Sequence, residues 1–228
     1  MTILILLVSI GALLLVMAFA SAGIFLLGRW FSSKKDRRQR FESSKKLYEE
    51  AYLLHKEGRK TEALVIASRA LGEFETHETC NLIGHIVEEL GEHRAASSFW
   101  SKARWCPGVP PDWKVYYYYR EARAFEKEKN WEFALLRSRD AITMVEKGHL
   151  PAEVNGVNYE EQLRAILMYA SLNHLHGSEG WEAAKQQAEW LKKNAKNSLL
   201  QRCGHSLSSA DEARIAMTEL LDNDIERL

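Results

Sequence analysis

The side chains best suited to chemistry in this chain are its histidines and cysteines, and their spacing is sparse. His77 and Cys80 stand three apart, a separation that sets two ligands on one face of a helix, with His85 and His93 further along. Cys203 and His205 fall in a stretch that reads as a loop. A structural zinc site wants four converging groups, and each of these is a two-ligand fragment. Cys80 also falls on an apolar position of its helix, so the expectation is a buried thiol, with no metal and no cofactor. The three cysteines, Cys80, Cys106 and Cys203, are odd in number and far apart in sequence, which suggests no disulfide framework and a reducing compartment. Paired acids such as Glu49-Glu50, Glu88-Glu89 and Glu160-Glu161 sit on helical stretches, where charged runs form a solvated face. No phosphate-binding glycine loop, dinucleotide fingerprint, His-Glu-x-x-His or nucleophile elbow is present, so catalysis is not expected.

The elements that would position these residues are read from small side chains at a fixed beat. Ala51, Ala63 and Ala70 are spaced by 12 and then 7, Gly84, Ala96 and Ala103 repeat that spacing, and Ala122, Ala134 and Ala141 repeat it again. Small residues are needed where two helices cross so closely that only a hydrogen or a methyl group fits. Gly58 and Gly91 fall at the turns of the first two units, each five residues before the second small position. The predicted pairs run 43–57 with 60–72, 77–90 with 93–105, and 112–128 with 131–146. Between the second and third pairs lies Cys106-Pro-Gly-Val-Pro-Pro-Asp112, which interrupts helix and places Asp112 to cap the next one. This loop explains a step of 38 residues from Gly84 to Ala122, against 33 from Ala51 to Gly84.

This pattern resembles the tetratricopeptide repeat (TPR), a helix–turn–helix unit of 34 residues. Leu47, Leu54 and Leu64 fill its apolar positions in the first unit, Ile83, Val87 and Trp100 in the second, and Tyr118, Phe125 and Leu135 in the third. The resemblance implies an all-α fold, a TPR-like helix-turn-helix solenoid over 43–207 with units 43–75, 76–108, 112–147 and 159–194. The last unit is degenerate, with Leu163, Ile166, Leu167 and Ala170 facing Trp181, Ala184, Ala188 and Leu191 across a turn at His176–Gly180. A loop containing Pro151, Asn155 and Gly156 precedes it. Ser209 and Glu212 form a capping-box pattern that opens a final helix in 208–228, and a solenoid needs such a cap to cover its last apolar face.

Ahead of the repeats, Ile3 to Leu27 is an uncharged run of 25 residues, long enough as a helix to cross a hydrocarbon core of roughly 30 Å. No basic residue precedes it, and apolar sequence continues past Ala18–Gly23, which favours a single N-terminal transmembrane helix (1–28) over a cleaved signal peptide. Arg29, Lys34, Lys35, Arg37, Arg38 and Arg40 follow in a basic juxtamembrane linker (29–42), with Trp30 and Phe31 at the interface. By the positive-inside tendency the N-terminus faces out and the repeats face the cytoplasm, most simply at a bacterial inner membrane. Lys34–Arg40 would attract anionic lipid, and Ala18 with Ala22 would let two anchors pack as a homodimer. Lysine plus arginine equal aspartate plus glutamate at 31 each, so nucleic acid is not an expected partner.

In TPR arrays the first helix of each pair lines a concave groove, and the resemblance carries this role onto Tyr48, Tyr52 and His55, onto Asn81, His85 and Glu88, and onto Tyr116, Tyr119, Arg123 and Lys127. Because Tyr116 to Tyr119 face every side of a helix, some of those rings must be core. The clamp by which some TPR domains hold acidic chaperone tails would fall on Tyr48, Tyr52, Leu82, Tyr116 and Arg120, where only the arginine suits that task. The expected function is a membrane-anchored scaffold or adaptor that binds a partner protein or peptide. Its rivals are an exported repeat protein of the periplasm or lumen, and a helical-repeat enzyme or metal-handling protein.

Overall fold

The computed structural model describes residues 35–149, 158–196, 198–204 and 209–222. Every regular element among them is a helix. Helix α1 covers 35–56, followed by α2 (Lys60–Glu73), α3 (His77–Glu89), α4 (His93–Trp105), α5 (Pro111–Lys127), α6 (Trp131–Glu146), α7 (Tyr159–His174), α8 (Gly177–Asn194), α9 (Ser198–Gly204) and α10 (Ala210–Asp222). Consecutive helices from α2 to α9 pack against each other, and α1 is tied to α2 through Arg40 and Ser44. Odd-numbered helices also meet: α3 bonds to α5, α5 packs on α7, and α10 returns to lie on α7 and α9.

The small-residue positions are where the backbones approach. Ala51, Ala63, Ala70, Ala96, Ala103, Ala122, Ala134 and Ala141 are all fully buried. At Gly84 the reason for glycine is explicit: a Cβ built there would lie 2.6 Å from Nε1 of Trp100, which is itself fully buried. The turns are equally specific. Gly58 and Gly91 take φ of +79° and +86°, a left-handed conformation that costs a Cβ-bearing residue about 1–2 kcal/mol.

Several boundaries differ from expectation, each for a local reason. The linker expected through residue 42 is helical from residue 35. Its Arg40 donates from Nε to the Glu73 carbonyl at 3.0 Å, an orphan acceptor at the end of α2, and Ser44 Oγ adds a bond to Ala70 O at 2.9 Å. Phe41 adds an edge-to-face contact with Phe74 at 5.3 Å. Asp112 is not the cap of α5: Pro110 occupies that position and Pro111 the first helical turn, where its missing N–H is no loss. The turn at 176–180 is shorter than expected because α8 already begins at Gly177. Cys203, expected in a loop, is buried in the short helix α9. The cap at Ser209 forms as expected, its hydroxyl accepting from Glu212 N at 3.2 Å.

Among the described residues no helix is long and apolar enough to cross a membrane. The span expected at 3–27, the interfacial Trp30 and Phe31, the loop around Pro151 and Asn155, His205 and the end of the final helix lie outside the described residues.

Charge is buried where the units join. Glu121 of α5, almost fully covered, accepts from Arg104 Nε of α4 at 2.8 Å and pairs with Arg137 Nε of α6 at 2.9 Å. Burial pushes its carboxyl above the usual range against the pull of both guanidinium groups. Removing one partner of such a network leaves a desolvated charge, which is what makes it specify one arrangement of three helices.

A tyrosine-walled cleft between the first helices

The residues expected to form one continuous groove are divided by the structure between two clefts and the interior. The first cleft, of 630 Å³, opens between α1, α3 and α5. Tyr48, Tyr52, His55, Asn81, His85 and Tyr116 border it, joined by Lys56, Glu78, Leu82, Glu89 and Trp113. Helical periodicity explains the α1 wall. Tyr48, Tyr52 and Lys56 are each four residues apart and so share a face, the two rings stacked at 6.3 Å and the Lys56 ammonium 4.8 Å from the Tyr52 ring. The α5 wall is made by Trp113 and Tyr116, three apart, meeting edge to face at 5.5 Å.

The floor is fixed by a polar relay. The His85 imidazole stands between Tyr116 Oη, 2.7 Å from Nε2, and Arg120 Nη2, 3.4 Å from Nδ1. A guanidinium has donors only, so Nδ1 accepts and Nε2–H donates to the tyrosine oxygen. Burial, then the Arg120 charge, then His55 hold the His85 pKa down to about 3, which keeps the ring neutral at pH 7. Arg120 in turn pairs with Glu88 and lies over the Trp100 ring at 4.8 Å. At the rim, Glu89 accepts from His55 at 3.1 Å and from Lys60 at 2.9 Å. Their bonds and charges outweigh its partial burial and leave its carboxyl below the usual range.

Asn81 lines this cleft, and its Oδ1, covered from solvent, accepts no hydrogen bond among the described residues. A buried acceptor left unmade costs about 1–3 kcal/mol, so this amide gains from any movement that brings it a donor.

The remaining groove residues are placed otherwise. Tyr119 is 1% exposed and packs on Tyr159 at 4.8 Å, between α5 and α7. It is a core ring and not a groove residue, because four consecutive tyrosines go once around the helix and must send some rings inward. Arg123 is 2% exposed and donates to Leu221 O of α10 at 3.0 Å and to Glu126 at 2.6 Å, so it holds the final helix in place. Glu88 is nearly covered, engaged by Arg120 and approached by Lys127 at 3.8 Å. Lys127 borders a second cleft of 590 Å³ together with His93, Lys129, Trp131 and Tyr169. There α10 forms part of the wall through Thr218 and Leu221. Tyr169 Oη meets Thr218 Oγ1 at 3.0 Å, and Arg214 donates to Leu172 O at 2.8 Å.

No family model, curated protein or solved structure matches the chain. Of the cleft residues that were not expected, Lys56 and Glu89 had a usable signal, since each is four positions from a groove residue on the same helix. Trp113 had a weaker one: it shares a face with Tyr116 but stands two residues after a proline pair.

Proposed function

We propose that this protein is a membrane-anchored helical-repeat adaptor of the TPR type, which holds a protein or peptide partner in the cleft between α1, α3 and α5. The carrying observation is the cleft itself. Stacked Tyr48 and Tyr52 border it together with Trp113 and Tyr116, charged groups stand at its rim, and Asn81 lies in its wall. Large rigid rings with polar tips are the usual energetic anchors of protein recognition, and a side-chain amide among them can hydrogen-bond a peptide backbone. The burial of every small position at the spacing of 12 and 7 supports the TPR assignment. The uncharged run 3–27 supplies the anchor and the following basic residues its orientation, with the repeats on the cytoplasmic side.

A photo-crosslinking amino acid at position 52, in native membranes, tests the reading. A discrete protein adduct is expected, identifiable by mass spectrometry and lost on Asn81→Leu. The same adducts from position 65, on exposed α2, would show that the cleft has no privileged role. For topology, an alkaline phosphatase fused after Leu228 should be inactive and a fluorescent protein there should be bright; the reverse would move the repeats to the exported side.

A further inference from the structure

Away from the cleft, the fold brings together residues that the sequence keeps apart. Cys80 lies in α3, Cys106 ends α4, and Glu75 lies in the turn between α2 and α3. One ligand atom from each falls within 4.8 Å of the other two. Cys106 Sγ is 3.8 Å from Glu75 Oε1, while the other oxygen of that carboxylate accepts from Lys102 Nζ at 2.9 Å.

We propose that Glu75, Cys80 and Cys106 form a binding site for one thiophilic divalent cation, of which zinc is the natural occupant. Bonds of about 2.3 Å to sulfur and 2.0–2.2 Å to oxygen put tetrahedral ligand atoms roughly 3.5–3.8 Å apart, so the side chains need only small rotations to close on an ion. Charge supports this choice. Two thiolates and a carboxylate carry three negative charges, and a divalent cation with the Lys102 ammonium balances them. The lysine also orients the carboxylate, the task of an outer-shell partner. Both thiols are buried, whereas Glu75 is exposed, which leaves an entry path and a solvent-facing fourth coordination position. A thiol ligates a metal as its thiolate, so an ion that enters displaces two protons. Occupancy would tie the α2–α3 turn to the start of the proline-rich loop, and so brace the α5 end that carries Trp113.

The test uses the full chain, solubilised, reduced and stripped of metal, titrated with Co²⁺ and then Zn²⁺. One Co²⁺ per chain is expected, with a sulfur-to-cobalt charge-transfer band that Zn²⁺ abolishes, and with about two protons released per ion at neutral pH. Cys80→Ser and Cys106→Ser should each reduce or remove that band, Glu75→Gln should weaken binding at least about tenfold, and Cys203→Ser should change nothing. Circular dichroism on each variant separates lost binding from lost folding, and the wild-type titration stands without any variant. Absence of the band in folded, reduced wild type would overturn the proposal. So would a band unchanged in both cysteine variants, or isolation of the chain with Cys80 and Cys106 already joined as a disulfide and no ion bound.

Discussion

The two clefts are close in volume, 630 and 590 Å³, and differ in what borders them. The first is walled by α1, α3 and α5, with Tyr52 40% exposed on its edge. The second takes part of its wall from α10, whose Met217, Leu220 and Leu221 are buried and whose backbone is held by Arg123. One layer thus carries the last described helix against its cleft, and the other is lined by stacked tyrosines of the first helix.

The largest effect on this contrast should come from loosening the half that α10 borders. Met217 is fully buried under α10. Met217→Ala should cost about 2–5 kcal/mol, because the cavity beneath an end helix has few neighbours able to collapse into it. Hydrogen exchange should show the loss concentrated in α7 and α10, with α3 and α4 still protected. Uniform loss of protection would mean that the halves are a single cooperative unit.

The open half has its own weak point. Gly84→Ala places a methyl group against Trp100, which is pinned between His85, in edge contact at 5.8 Å, and the Arg120 guanidinium. Overpacking of this kind should destabilise by about 1–3 kcal/mol. Denaturant unfolding measures it, and the double variant Gly84→Ala, Trp100→Phe should recover part of the loss.

A smaller and pH-dependent difference follows from His85. The unfolded ring takes up a proton near 6.5, and the folded ring resists until about 3, so protonation favours the unfolded chain. This contribution to stability is therefore complete above pH 6.5 and is lost as pH falls toward 3. The slope is on the order of 1 kcal/mol per pH unit. His85→Gln should flatten stability between pH 6.5 and 5 relative to wild type. An unchanged slope would mean that water reaches the ring and that the relay to Tyr116 and Arg120 is open.

What was legible in the sequence follows the same division. Helix pairs and their crossings were visible because a close approach demands Ala or Gly at fixed positions, and Gly58 and Gly91 mark turns through backbone conformation alone. The groove was visible only for residues that share a helical face with an exposed neighbour, such as Tyr48 and Tyr52. Tyr119 and Arg123 occupy the same register and are covered by α7, of the following unit, and by α10, which lies beyond the units. Cys80 and Cys106 are separated by a whole helix, and no local spacing reports that Glu75 joins them.

The smallest expected effect on stability separates the cleft from the fold most cleanly. Tyr52 is half in solvent, its ring held by Tyr48 on one side and Lys56 near the other. Truncating a surface side chain of this kind changes stability by no more than about 0.5 kcal/mol. If the open cleft is a recognition surface, its anchors should matter only when a partner is present. Tyr52→Ala should thus leave the unfolding curve nearly unmoved and reduce capture of the partner from membranes by about tenfold or more, the scale of an aromatic hot spot. A variant that loses stability without losing capture would assign the stacked tyrosines to the core. One that loses neither would place the binding surface elsewhere on the molecule.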